Sequence, residues 1–102
     1  MFLALKVSDL DNTATIFAEG IEAGAEIEVR DKQGNAQVLN ALDPIPYGHK
    51  IAVREIAAGA RIIKYGEEIG VATRDIPAGS HVHVHNLDSM RGRGDLEKEG
   101  QL

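Results

Sequence analysis

The chain has 102 residues, a length that indicates one domain with a modest core. It contains no cysteine, so disulfides and thiolate-bound iron–sulfur clusters are excluded, and a bound metal would need histidine or oxygen ligands. The formal net charge of −5 argues against nucleic acid as a partner, and no apolar stretch approaches the roughly 20 residues that span a membrane.

The first six residues carry too short an apolar run and too early a charge for a secretory signal peptide, so we expect a cytoplasmic protein. Hydrophobic residues make up 43% of the chain, and most are alanine, valine, isoleucine or leucine rather than aromatic. Such small, branched side chains are typical of short strands, and they leave little room for an enclosed pocket.

Alternating apolar and polar residues predict a series of short strands along the chain. In order, they lie near residues 2–7, 13–17, 26–30, 36–40, 49–54, 61–64, 69–72 and 81–86. A hairpin loop is expected at 31–35, a proline-restrained connector at 43–48, and at most a helical turn at 9–15 or 86–90. Residues 1–88 are predicted to form one all-β domain, followed by a flexible, polar tail at 89–102.

A short motif, Ile-x-Ala-Gly, recurs at residues 21–24, 56–59 and 76–79. Glycine at its last position suits a turn residue with positive φ. Alternating residues follow each copy and predict a strand there. The repeat therefore indicates a fold assembled from similar units, each a tight turn followed by a short strand.

The segment His-Val-His-Val-His-Asn at 81–86 places three imidazoles on one side of a predicted strand and two valines on the other. We expect the valines to face the core and the histidines to face solvent, a cleft or a partner. Alternate residues on one strand face lie about 7 Å apart, so two imidazoles could bind one metal ion or flank one substrate. A solvated surface strand explains the same pattern, and the residues alone leave ligand, base and surface roles open.

Four further positions are candidates for binding. His49 follows a glycine at the exit of the proline-restrained connector, where a ligand could approach the backbone closely. Lys64 could bind a carboxylate, and the pair Arg91 and Arg93 could clamp an anion. Each of these positions also fits an ordinary exposed polar residue.

Five segments together resemble the SAF-type domain of the altronate/galactarate dehydratase family. Residues 45–52 read Ile-Pro-Tyr-Gly-His-Lys-Ile-Ala, and residues 62–70 read Ile-Ile-Lys-Tyr-Gly-Glu-Glu-Ile-Gly. Residues 11–15, 82–86 and 91–96 are similar to further family motifs, and all of the segments follow in the expected order. The resemblance covers residues 9–96 and extends to the alpha subunit of sulfolactate sulfo-lyase.

The resemblance implies a β-clip architecture and a role as the small subunit of a carbon–oxygen hydro-lyase. Such an enzyme would dehydrate a sugar acid, altronate- or galactarate-like, to a 2-keto-3-deoxy acid. It would act with a separate large catalytic subunit and would be inactive without it. A divalent metal, Fe²⁺ or Mn²⁺, would be held mainly by that partner.

By the same resemblance, His49, His83 and His85 are the expected catalytic residues, with His83 and His85 also candidate metal ligands. The expected substrate-binding residues are Lys64, Asn86, Arg91 and Arg93. Two alternatives stay open. One is a non-catalytic binding or assembly module of the SAF type, and the other is the alpha subunit of a sulfolactate sulfo-lyase, from which sulfite rather than water would leave.

Overall fold

The computed structural model describes residues 1–89, and these are built from strands and turns without any helix, which confirms the predicted all-β, β-clip class. The strands are β1 Phe2–Leu5, β2 Thr13–Ile16, β3 Glu26–Arg30, β4 Ala36–Asn40, β5 Lys50–Ala52, β6 Arg61–Lys64, β7 Glu67–Ala72, β8 His81–Val82 and β9 Leu87–Ser89. No helix long and apolar enough to cross a membrane occurs in this part of the chain.

The strands form two sheets. A six-stranded sheet has the order β4-β3-β1-β2-β5-β8, and a three-stranded sheet has the order β6-β7-β9. The β1–β3 pair is parallel, and every other neighbouring pair among residues 1–89 is antiparallel. Strands β5 and β8, which carry or adjoin the histidines, therefore lie together at one edge of the larger sheet.

Strand β5 lies between two hydrophobic clusters. Ile51 packs in the first cluster and Ala52 in the second, because successive side chains of a strand point to opposite faces. The first cluster is Ala4, Ala14, Ile16, Ile21, Ile27, Val29, Ala41, Ile45, Ile51 and Val53. The second cluster is Ala52, Ile56, Ile62, Ala72, Ile76 and Val82. The strand that leads away from His49 is thus anchored on both of its faces.

The repeated Ile-x-Ala-Gly motif forms the predicted turns. Each of its isoleucines is buried and forms an isolated β-bridge, with Ile56 opposite Ile76 and Ile21 opposite Ile45. The closing glycines have φ angles of 81° to 93°, in the left-handed region that favours glycine. The proline-restrained connector is a fourth turn of the same kind, because Ile45 is bridged and Gly48 has a φ of 80°. This fourth unit ends directly at His49.

Buried polar side chains at residues 11–13 tie the second sheet to the first. The carboxylate of Asp11 accepts hydrogen bonds from the backbone N–H groups of Val7, Ser8 and Gly66. Burial alone would raise the pKa of Asp11, but these donors, led by Gly66, together lower it. Asn12 bonds to strand β6 in both directions, since its amide donates to the Arg61 carbonyl and its oxygen accepts from the backbone of β6.

The β6–β7 hairpin turn carries Tyr65 at a φ of 54° and Gly66 at 79°. Positive φ at both central residues is the geometry of a two-residue hairpin turn whose twist matches that of the strands. The Tyr65 hydroxyl donates to Thr15 Oγ1 at 3.0 Å and so fixes this turn against strand β2. Lys64 is the last residue of β6 and directly precedes this turn.

The strand predictions at 26–30, 36–40 and 61–64 match the observed bounds, whereas the prediction of one strand at 81–86 is wrong. Strand β8 ends at Val82, residues 83–86 form a turn, and the unpredicted strand β9 follows. Val84 is consequently 79% exposed instead of facing the core. The cause is local, because the Asn86 side chain accepts the backbone N–H of His83 and closes the turn.

The domain boundary predicted at residue 88 stays a prediction. Strand β9 includes Ser89, one residue beyond that boundary. The remainder of the predicted tail, with Arg91 and Arg93, lies outside the described residues.

Candidate functional site

The imidazoles of four histidines gather at the β5–β8 edge of the larger sheet. In the β5–β8 ladder Ile51 lies opposite His81, and extending this antiparallel register by two residues brings His49 opposite His83. The His49 and His83 rings are stacked with centroids 4.4 Å apart, and the His81 and His83 rings are stacked at 5.4 Å. His49, which lies 32 or more positions before the other three histidines in the sequence, therefore shares one surface with them.

Three of these rings converge closely. His49 Nδ1 lies 2.9 Å from His81 Nε2, a hydrogen-bond distance at which one of the two nitrogens carries the proton. One nitrogen from each of His49, His81 and His83 lies within 4.8 Å of the others, and all three residues are partly buried. His85 is more exposed, and its ring contacts the His81 ring at 5.4 Å between centroids.

The side chain of Asn86 fixes the backbone that carries two of the rings. It is only 5% exposed, its Oδ1 accepts the His83 N–H at 2.9 Å, and its Nδ2 donates to the His81 carbonyl at 2.9 Å. Asp43 adds a third restraint, because its Oδ2 accepts the His81 N–H at 2.9 Å. The structure gives Asn86 a positioning role, whereas its predicted contact with a substrate stays a prediction.

Burial and the charges of neighbouring groups favour the neutral form of His81 and His83. Burial, followed by the neighbouring charges of His49, His85 and His83, lowers the pKa of His81 to about 4, against a weaker opposing effect of Asp43. The pKa of His83 is lowered by burial first and then by His49, Lys50 and His85. At neutral pH the His81 and His83 rings therefore offer nitrogen lone pairs, which can accept a proton or bind a metal ion.

Lys50 follows His49 in the sequence, but its side chain lies on the opposite face of β5, because successive side chains of a strand alternate and its partner in the ladder is Val82. Burial first, and then the charge of Lys64, lowers the pKa of Lys50. Lys64 Nζ also lies 5.2 Å from the centre of the Tyr65 ring. The charge of Lys50 also contributes to lowering the pKa of His83, so its electrostatic effect reaches the cluster although its side chain lies on the other face of the strand.

The structure brings together the predicted residues His49, His83 and His85, and it adds His81, which the sequence prediction left out of the site. The alternation of His81 with His83 was the signal that it shares their face. Among the described residues, Lys64 lies over the Tyr65 ring and interacts with the charge of Lys50, and its role in substrate binding stays a prediction.

The histidine cluster is in contact with solvent, because His49, His81 and His83 are only partly buried and His85 is exposed. Two clefts of the described residues lie elsewhere, one of about 240 Å³ lined by residues of β1 and β3 and one of about 190 Å³ beside the β3–β4 hairpin. Neither of these two clefts is lined by a histidine.

Comparisons with known proteins agree with this architecture. Altronate dehydratase of Escherichia coli (strain K12) is 43% identical over 100 residues, covering 91% of this chain but only 19% of the relative. Galactarate dehydratase (L-threo-forming) of the same organism is 43% identical over 79 residues, covering 76% of this chain and 14% of the relative. This chain therefore spans about a fifth or less of these two enzymes.

A relative of the same size as this chain also exists. The alpha subunit of (2R)-sulfolactate sulfo-lyase of Chromohalobacter salexigens is 37% identical over 94 residues, covering 89% of this chain and 99% of the relative. Residues 2–90 also match the sequence profile described as the altronate/galactarate dehydratase SAF domain. A match over nearly the whole described chain, together with these identities, means that the chain belongs to the altronate/galactarate dehydratase SAF domain family.

Proposed function

We propose that this chain is the small subunit of a carbon–oxygen hydro-lyase and acts with a separate large catalytic subunit. The complex dehydrates a sugar acid, altronate- or galactarate-like, to a 2-keto-3-deoxy acid in the cytoplasm. The observation that carries this proposal is the cluster of His49, His81, His83 and His85 on an open face of a domain whose relatives are lyases. The chain alone is expected to be inactive.

The chemistry of such a reaction suits the side chains in this cluster. A proton next to a carboxylate must be removed, and a hydroxyl group on the neighbouring carbon must leave with a proton. A divalent metal, when bound, supplies a Lewis acid for the negative charge that develops on the substrate. A neutral imidazole can accept the first proton, and the imidazolium that results can donate a proton to the leaving hydroxyl group, which departs as water.

The residues divide by exposure and charge into two roles. His85, the most exposed of the four histidines, is the proposed proton-transfer group, and His49 and His83 complete the catalytic site beside it. Lys64 stays a proposed binding residue for the substrate carboxylate. Arg91 and Arg93 stay proposed substrate-binding residues.

A separate subunit is proposed because this chain does not enclose the histidine cluster. Acid–base chemistry of this kind benefits from exclusion of water, and an open sheet edge does not provide it. Phe17 and Tyr47 form an edge-to-face pair with centroids 6.0 Å apart, although they are 41% and 56% exposed. Tyr47 lies two residues before His49, so an exposed aromatic pair, typical of protein interfaces, adjoins the site.

A second candidate function is the alpha subunit of a sulfolactate sulfo-lyase. The observation that favours it is that the sulfolactate relative matches over 99% of its own length, as a whole subunit. In this case sulfite leaves in place of water, while the requirement for proton removal next to a carboxylate is the same. The substrate therefore distinguishes the two functions.

The proposal can be tested by purifying the chain with its native partner and supplying candidate acids anaerobically with Fe²⁺. Altronate, galactarate and sulfolactate are incubated with the complex, and 2-keto-3-deoxy acid and sulfite are measured. A 2-keto-3-deoxy product from a sugar acid supports the hydro-lyase, and sulfite from sulfolactate supports the second candidate. A stable complex that converts none of these acids would instead indicate a binding or assembly module and refute the proposal.

A further inference from the structure

We infer that this chain itself binds a first-row divalent transition metal through His49, His81 and His83, with His85 outside the ligand set. The sequence resemblance implied a metal held mainly by the partner subunit, with His83 and His85 as the candidate ligands. The geometry indicates a different trio, which includes His81, and binding by the small chain alone. Catalytic use of the metal depends on the proposed function above, whereas binding does not.

The distances between the nitrogens fit one shared ion. Nitrogens bound to one metal ion at about 2.1 Å lie roughly 3.0–3.4 Å from each other in octahedral or tetrahedral geometry. The His49 and His81 nitrogens are already 2.9 Å apart. The widest pair of the trio lies within 4.8 Å and would need to close by about 1.4 Å, which rotation of partly buried imidazoles can supply.

The backbone under all three rings is held in place before any ligand arrives. Asn86 bonds to the backbone of both His81 and His83, and Asp43 bonds to the backbone of His81. The carbonyl of His49 accepts the backbone N–H of Ile16 at 2.9 Å. A site whose ligand-bearing backbone is fixed loses little conformational entropy on binding, which favours affinity.

The donor set selects the class of metal. Neutral imidazole nitrogens suit zinc, iron, nickel and cobalt, whereas calcium and magnesium prefer oxygen ligands that this trio lacks. Three protein ligands leave positions open for an exogenous molecule, as in catalytic metal sites.

His85 is excluded by position. Its ring contacts the His81 ring, but its nitrogens are not part of the convergent trio, and the residue is exposed. It therefore provides a matched control, being a histidine in the same turn. Val84, which is 79% exposed in that turn, provides a second control that leaves every imidazole in place.

The test is a Co²⁺ titration of the full chain, purified without a polyhistidine tag and followed by visible absorption. Because the chain has no cysteine, the bands report nitrogen and oxygen ligation. We expect one Co²⁺ per chain and a loss of affinity of at least about tenfold in His49→Ala, His81→Ala and His83→Ala. His85→Ala and Val84→Ala should bind as the wild type does. No saturable binding, or an equal loss in His85→Ala, would overturn the inference.

A measurement on the unmodified chain covers the case in which a variant fails to fold. Zn²⁺ is added to ¹⁵N-labelled wild-type chain, and the ring nitrogens are followed by NMR. The expected result is a shift of His49, His81 and His83 ring nitrogens, with His85 unchanged. Shifts confined to His83 and His85 would contradict the inference. If the chain binds no metal but its complex is active, the inference fails and the proposed function stands.

Discussion

Replacement of Asn86 by alanine tests whether this residue positions the histidines. The substitution removes two hydrogen bonds of 2.9 Å, which join its carboxamide to the backbone of His81 and His83. Each bond contributes roughly 1 kcal/mol net, and each backbone group left without a partner adds a desolvation cost of roughly 1 kcal/mol or more. The expected loss in the free energy of unfolding is therefore about 2–4 kcal/mol.

Urea unfolding of the full chain, followed by circular dichroism, measures this loss. Val84→Ala is the matched control, because its side chain lies in the same turn and is 79% exposed, so its cost should stay within about 0.5 kcal/mol. Asn86→Asp keeps an acceptor for the His83 N–H but loses the donor to His81, and we expect a loss between those of the other two variants. A loss below about 0.5 kcal/mol in Asn86→Ala would refute the positioning role.

Two further predictions concern pH and the turns. The pKa of His81 is about 4 in the folded chain and 6.5 in the unfolded chain, so between these two pH values the unfolded state binds more protons than the folded state. The free energy of unfolding should therefore fall as the pH drops from 6.5 to 4. The expected fall is about 1–2 kcal/mol after allowance for the partial exposure of the ring. Urea unfolding at a series of pH values measures this pH dependence of the free energy of unfolding, and His81→Gln should reduce it. An equal pH dependence in His81→Gln and the wild type would show that His81 is not its source. Gly79→Ala should cost about 3 kcal/mol or more in thermal unfolding, since its φ is 93° and a Cβ would lie 2.2 Å from the Asn40 carbonyl oxygen. Gly24→Ala, at a φ of 92° with open space around it, should cost only about 1–2 kcal/mol, and equal costs would show that the close contact is not limiting.

Local chemistry explains which parts of the fold could be predicted from the sequence. The β3–β4 hairpin was predicted with its observed bounds because Asp31 and Gly34 are strong turn formers and the flanking residues alternate. The Ile-x-Ala-Gly turns were found for the same reason. Their fourth copy was not recognised, because proline and tyrosine stand between Ile45 and Gly48.

Long-range relations could not be predicted in this way. Alternation is the same in parallel and antiparallel strands, so the parallel β1–β3 pairing left no local signal. The turn at 83–86 depends on the Asn86 side chain competing with a strand, and the repeated valines concealed that competition. His49 joins the other histidines only through the β5–β8 register, which single-sequence patterns do not specify.

The rate of the reconstituted complex carrying His83→Ala tests the central claim most directly. We expect product formation to fall at least about tenfold, since loss of a residue that shapes a metal site typically costs about ten- to a hundredfold. Lys32→Ala, at the exposed tip of the β3–β4 hairpin, should retain the wild-type rate. Equal rates for His83→Ala and Lys32→Ala, in complexes that still assemble, would contradict a functional role for the histidine cluster.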